Sequence, residues 1–174
     1  GLIRNGNAYG IPYTYSEMGL IYDRNEFSQP PDSFSVMWDE RYKGRVLMYE
    51  SSEHNFSFAA LSQGLNNPFQ IPDSAFDQVT QQVIALRRNI LTYNEKPEDA
   101  TELFNENYIA LLFANYGSQQ VKMLKESGAN IGYVIPKEGA LAWLDCWSVT
   151  RDAKNKKLAE DWINFVLEQK ISHA

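Results

Sequence analysis

The sequence predicts an α/β domain built on a mostly parallel central sheet, and three observations carry that expectation. Short runs of strand formers alternate with amphipathic segments along the chain, the order in which strand–helix–strand units lay down a parallel sheet. Residues 108–114, Tyr-Ile-Ala-Leu-Leu-Phe-Ala, form an unbroken apolar run, typical of a strand buried on both faces. The 174 residues, 44 % hydrophobic and 22 % charged, are enough to bury a core.

Taken in order, residues 8–15 are rich in strand formers, and Pro12 marks them as an edge or crossing segment. A second short strand is expected at 18–22, ended by the polar turn Asp23-Arg24-Asn25. After a stiff Pro30-Pro31 loop, residues 34–39 read as a short helical piece with Trp38 packed inward. Residues 45–49 read as a buried strand that delivers Glu50, Ser51, Ser52, Glu53, His54 and Asn55 into a loop or helix start. The helical pattern from 56 to 61 stops at Gly64. In the next helix Ser74 is the expected N-cap, and Phe76, Val79, Val83 and Leu86 recur at helical spacing. Pro97, Glu98 and Asp99 open another helix, with Ala100, Leu103 and Phe104 inward. The apolar run to Ala114 then breaks at Asn115-Tyr116-Gly117-Ser118 into a helix closed by Gly128. Residues 131–135 are a further strand, and Lys137-Glu138-Gly139 reads as a solvated turn. Asn155 is the expected cap of a last amphipathic helix with Leu158, Trp162, Phe165 and Val166 as its inner face.

One segment carries chemistry by its spacing. Trp143, Asp145 and Trp147 stand two apart in a strand-like run, so all three project from one face. Ala142, Leu144, Cys146 and Ser148 take the other face. An unpaired carboxylate between two indoles resists burial, and it suits an ammonium ion, which the carboxylate neutralises while the indole faces attract it. A strand end with Asp145 in solvent and both indoles packed reads equally well from these residues. In parallel α/β sheets ligands sit beyond the carboxyl ends of strands. The Glu50–Asn55 segment, the Asn115–Ser118 turn and the Trp143 strand all fall there. Glu50 and Glu53 fit three roles: capping a helix start, binding a cation, or acting as paired general acid and base. Tyr15 is a candidate to line a cleft, while Tyr13 is expected to pack.

Composition narrows the classes. A net charge of −6 and a pI near 4.9 argue against a nucleic-acid partner. The single cysteine, Cys146, excludes an internal disulfide and a cysteine-based metal site. Only His54 and His173 are histidines, which leaves little for zinc or serine-hydrolase chemistry. There is no G-x-S-x-G elbow, P-loop or G-x-G-x-x-G, so no catalytic residue and no cofactor is expected. The competing enzyme reading is a hydrolase using Glu50 and Glu53. Apolar runs stop short of membrane-spanning length, and no secretory h-region is present. The chain starts with Gly, which points to an N-terminus that has been cut or processed.

The segment Tyr133-Val-Ile-Pro-Lys-Glu-Gly-Ala-Leu-Ala-Trp-Leu-Asp145, followed by Ala153-Lys-Asn155 and the helix at 162–167, resembles the solute-binding proteins of ABC importers for spermidine and putrescine. Tyr9-Gly-Ile-Pro-Tyr-Thr-Tyr15, Trp38-Asp39 and Tyr42-Lys-Gly44 match in the same order. The resemblance implies a type II periplasmic-binding lobe: a mostly parallel central sheet with helices on both faces and crossing hinge strands. It implies hinge strands in residues 1–16, the second, ligand-binding lobe in 17–143, and a return strand and helix in 144–174 that belong to an absent first lobe. That leaves the last helix without its usual partner, and a non-native dimer is one way to cover it. By the same resemblance Trp143 and Asp145 grip an amine, and Glu50 and Glu53 match an acidic pair. A gapless alignment puts Ser52 and Asn55 at that pair instead. Asn115 stands where polyamine binders carry Trp, with Tyr116 beside it and Ser118 in the turn. The implied ligand is a polyamine or related small cation, or another polar solute such as an amino acid derivative. The implied partner is a membrane permease, and the implied location is the periplasm or the surface of a single-membrane cell.

Overall fold

The computed structural model describes residues 2–172. Along the chain run β1 (Ile3–Arg4), β2 (Asn7–Ala8), β3 (Ile11–Asp23), β4 (Val46–Tyr49), α1 (Ser52–Ser62), α2 (Asp73–Leu86), β5 (Ile90–Asn94) and α3 (Pro97–Glu106). Then follow β6 (Leu111–Ala114), α4 (Ser118–Glu126), β7 (Ile131–Val134), β8 (Leu141–Trp147), α5 (Lys156–Val166) and α6 (Gln169–Ser172). Two 3-10 turns, Phe34–Trp38 and Glu40–Tyr42, lead into β4. The chain divides into two compact units, one of Gly1–Tyr15 with Trp143–Ala174 and one of Ser16–Ala142.

The main sheet runs β5-β4-β6-β3-β7, with β8 pairing β3. Its parallel part is β5-β4-β6; β3 lies antiparallel between β6 and β7. The α/β class stands, but the sheet is mixed where a mostly parallel one was expected. The cause is β3. The two strands expected at 8–15 and 18–22 merge into it, and it enters opposite to its neighbours. Its pairing to β6 and β7 covers only Gly19–Asp23, so Pro12 sits outside those ladders and costs them no hydrogen bond. The expected apolar strand at 108–114 shortens to Leu111–Ala114, because Tyr108 takes a positive φ of 52° and turns out, 87 % exposed.

Alternation along β6 sends successive side chains to opposite faces. Leu112 and Ala114 join Ile21, Leu47, Ala100, Phe104 and Leu124 in the core under α3 and α4. Phe113 faces the other way and meets Phe34 and Phe58, with ring centroids 6.4 and 4.7 Å off. Trp38 stacks on Phe58 and its Nε1 donates to the Gln82 carbonyl at 3.0 Å, so it packs inward as the sequence suggests.

Three local expectations change. Pro72, not Ser74, occupies the N-cap of α2, its extended backbone (φ −70°, ψ 150°) placing the helix start two residues earlier. Phe76 is half-exposed and lies stacked on Phe56 instead of in the core. Glu138 is not a solvated turn residue: its carboxylate accepts from the Ser33 hydroxyl and from the Phe34 N–H, fixing the loop before β8 to the first 3-10 turn.

In α5, Asn155 caps as expected, accepting from the Leu158 N–H at 3.1 Å. Its apolar face is nevertheless open: Leu158, Trp162 and Phe165 are exposed, and Ile163 is the residue buried. Periodicity identifies an apolar face without saying whether anything covers it.

Tyr133 ties β7 to β3 through its hydroxyl, which donates to the Glu17 carbonyl at 3.3 Å. Burial, and next the Glu17 carboxylate, push its pKa up to about 12. A phenol raised above its unfolded value of about 10 contributes stability that is full below pH 10 and lost as pH rises through 12. Urea melts across that window should show the parent losing stability relative to Tyr133→Phe. Parallel losses in both proteins would remove this role for Tyr133.

Candidate functional site

In the second unit, three strand ends bring polar and aromatic groups together. At the end of β4 the backbone releases Tyr49, and Ser51 caps α1, its hydroxyl accepting the His54 N–H at 3.3 Å. The same hydroxyl lies 2.9 Å from His54 Nδ1. The Tyr49 ring meets the His54 ring at 5.3 Å and the Tyr116 ring edge-on at 5.8 Å. These rings form a half-exposed aromatic surface at the carboxyl ends of β4 and β6, suited to packing against methylenes.

Tyr116 is held from three directions. Its N–H donates to Gln120 Oε1 at 3.0 Å, and its hydroxyl donates to the Glu95 carbonyl at 2.9 Å. Burial, and next the Tyr49 side chain, push its pKa up. The turn that presents it depends on Gly117, whose φ of 53° and ψ of −123° suit only glycine. Any Cβ there would lie 2.1 Å from Ser16 Oγ and 2.7 Å from the Glu17 carbonyl oxygen.

The remaining expected residues fall as follows. Glu50 and Glu53 are both exposed, Glu53 in the first turn of α1, where a carboxylate complements the helix dipole. Ser118 is exposed at the start of α4. Asn115 is buried, and its Oδ1 accepts from Gln120 Nε2 at 3.3 Å, so part of its side chain serves the turn. Asn55 donates through Nδ2 to the Tyr49 carbonyl at 3.2 Å. Among the described residues its buried Oδ1 meets no protein hydrogen-bond partner, and neither do the amide atoms of Asn94, a residue only 1 % exposed.

The first unit holds Trp143, Asp145, Trp147 and Tyr15. Asp145 is exposed and enters no salt bridge among the described residues. Trp143 and Trp147 are each half-buried, and the Trp147 ring packs on Tyr13 at 5.3 Å. Tyr13 makes that ring contact but is 52 % exposed, so it packs only in part, and Tyr15 is 76 % exposed. Among the described residues no cluster of His, Cys, Asp and Glu has the makings of a metal site. His173 lies outside the described residues.

Sequence reasoning included His54 in the Glu50–Asn55 segment but missed Tyr49 and Asn94 as neighbours of the site. Tyr49 had a signal, as the last residue of a strand whose end was already under suspicion. Asn94 had none, because β5 itself was not read as a strand.

A family model described as "Bacterial extracellular solute-binding protein" matches residues 1–172. The chain belongs to that family. Among solute-binding relatives, it is 25 % identical over 168 residues to the spermidine/putrescine-binding periplasmic protein 1 of Haemophilus influenzae, covering 96 % of this chain and 45 % of that one. It is 26 % identical over 179 residues to a putrescine-binding periplasmic protein of Escherichia coli K12, covering 95 % and 48 %. A putative spermidine/putrescine ABC transporter structure from Listeria monocytogenes superposes with a TM-score of 0.81 at 22 % identity, over 96 % of this chain and 50 % of that one. This chain therefore has the type II periplasmic-binding fold, and it spans about half the length of the curated relatives it matches.

Proposed function

We propose that this chain captures a polyamine or related small cationic solute as part of the binding component of an ABC importer. It releases the solute to a membrane permease, and it works in the periplasm or anchored at the cell surface. Residues 17–143 act as the ligand-binding lobe, 1–16 as an entering hinge strand, and 144–174 as the return strand and a helix of the other lobe. The division into two units near residues 16 and 143 supports that reading.

The observation that carries the proposal is Asp145, an exposed carboxylate without an ion pair among the described residues, two positions from Trp143 and from Trp147. A carboxylate open to solvent beside an indole is able to attract an ammonium ion. Glu50, Glu53 and a net charge of −6 add to the field that draws cations in. In the unit of Ser16–Ala142, taken by itself, the aromatic surface of Tyr49, His54 and Tyr116 is suited to contact with methylenes. Reversible capture needs no bond making. Closure around the solute excludes water and strengthens each charge contact.

A solute other than a polyamine, such as an amino acid derivative, is favoured by one feature. Asn115 replaces the indole expected in polyamine binders, and it is buried in the turn. A thermal-shift panel separates the two readings. Putrescine, spermidine and agmatine should raise the melting temperature by several degrees, while a sugar phosphate and a neutral amino acid should not. The reverse ranking would replace the cationic solute with a polar one, and no response from any cation would remove the polyamine.

A further inference from the structure

Gln120 lies in the first turn of α4, and it is wholly buried, at 0 % exposure. Its side-chain amide makes two hydrogen bonds to the turn that carries Tyr116. The chemistry of one bond fixes the other. The Tyr116 backbone N–H can only donate, so the atom 3.0 Å from it is Gln120 Oε1. The other end of that amide is then Nε2, a donor, and it meets Asn115 Oδ1 at 3.3 Å. A glutamate or glutamine at the third position of a helix commonly accepts a backbone N–H at the helix start. A carboxylate suffices for that work. Only an amide accepts from Tyr116 while donating to Asn115, and only an uncharged group sits in the core without a large desolvation cost. The far end of Tyr116 is held separately, its hydroxyl donating to the Glu95 carbonyl at 2.9 Å. The ring that meets Tyr49 edge-on is thus fixed at both ends.

We infer that Gln120 is a positioning residue for solute capture, an inference that rests on the site proposed above. From inside the core its one amide sets where Asn115 and Tyr116 stand at the carboxyl end of β6. A surface ordered before the solute arrives loses less entropy on binding. Gln120 thereby strengthens binding without touching the solute.

The test is Gln120→Met, which keeps the length of the side chain and removes both polar ends. In calorimetric titration with putrescine its affinity should fall about tenfold against the parent. In a Tyr116→Ala background the same change should lower affinity less than about threefold, because the ring it positions is gone. Equal losses in both backgrounds would make Gln120 a packing residue and overturn the inference, and an unchanged affinity in the single variant overturns it as well. If the parent takes up none of putrescine, spermidine or agmatine, the polyamine reading fails by itself, and hydrogen exchange decides the role of Gln120. Gln120→Met should speed exchange of the Tyr116 N–H about tenfold more than it speeds the amides of β6. Equal acceleration is loss of global stability alone and overturns the inference. Should Gln120→Met not fold, the unliganded parent decides. Its Tyr116 N–H should exchange at least about a hundredfold more slowly than in an open chain, and exchange at the open-chain rate overturns the inference.

Discussion

Asp145→Asn should weaken the binding of putrescine by at least tenfold and leave the fold untouched. The substitution keeps the size of the side chain and its capacity to accept a hydrogen bond, and removes only the charge. A charge-assisted hydrogen bond to an ammonium group contributes about 1.5–3 kcal/mol, and tenfold corresponds to about 1.4 kcal/mol. The melting temperature should stay close to the parent's, because Asp145 is exposed and enters no salt bridge among the described residues. Calorimetric titration of both proteins measures the difference. Equal affinities would remove Asp145 from the site and leave Trp143 and Trp147 as packing residues.

Gly117→Ala should produce the largest loss of stability among single methyl additions in the chain's turns. The new Cβ would lie 2.1 Å from a buried Ser16 hydroxyl and 2.7 Å from the Glu17 backbone oxygen. Backbone cannot give way cheaply, and the glycine conformation is closed to alanine as well. Urea denaturation should show a loss above about 3 kcal/mol. Gly44→Ala is the internal comparison: its φ of 69° is also positive, but nothing lies within 4 Å of its added Cβ. That substitution should cost only about 1–2 kcal/mol, from backbone strain alone. Similar losses at both positions would mean that the close approach at Gly117 is relaxed in solution. The consequence for function follows from the turn, since Gly117 holds Tyr116 against Tyr49.

Much of the fold was legible because the deciding signals were local. Asn155 caps α5, Trp38 packs on Phe58, and β6 and α4 follow one another across the Asn115–Ser118 turn, all as their residues suggest. Failures occurred where a neighbour decided. β5 is only five residues, Ile-Leu-Thr-Tyr-Asn, three residues beyond the end of α2, and its identity as a strand comes from pairing with β4. The union of two short runs into β3 depends on β6 and β7 lying on either side of Gly19–Asp23. The open face of α5 shows the limit from the other side: Leu158, Trp162 and Phe165 form the stripe that the period demands, and their exposure is a matter of context. The site divides in the same manner. Residue types and spacing marked Trp143, Asp145 and Tyr116. The engaged state of Asn115 depends on Gln120 being brought beside it.

The most direct measurement is the tryptophan fluorescence of this chain during titration with putrescine at low salt, with spermidine and agmatine alongside. A cation held beside Trp143 should give a saturable change, weakened as salt screens the charges. A flat response to all three at concentrations up to the millimolar range would contradict a cation site on these residues.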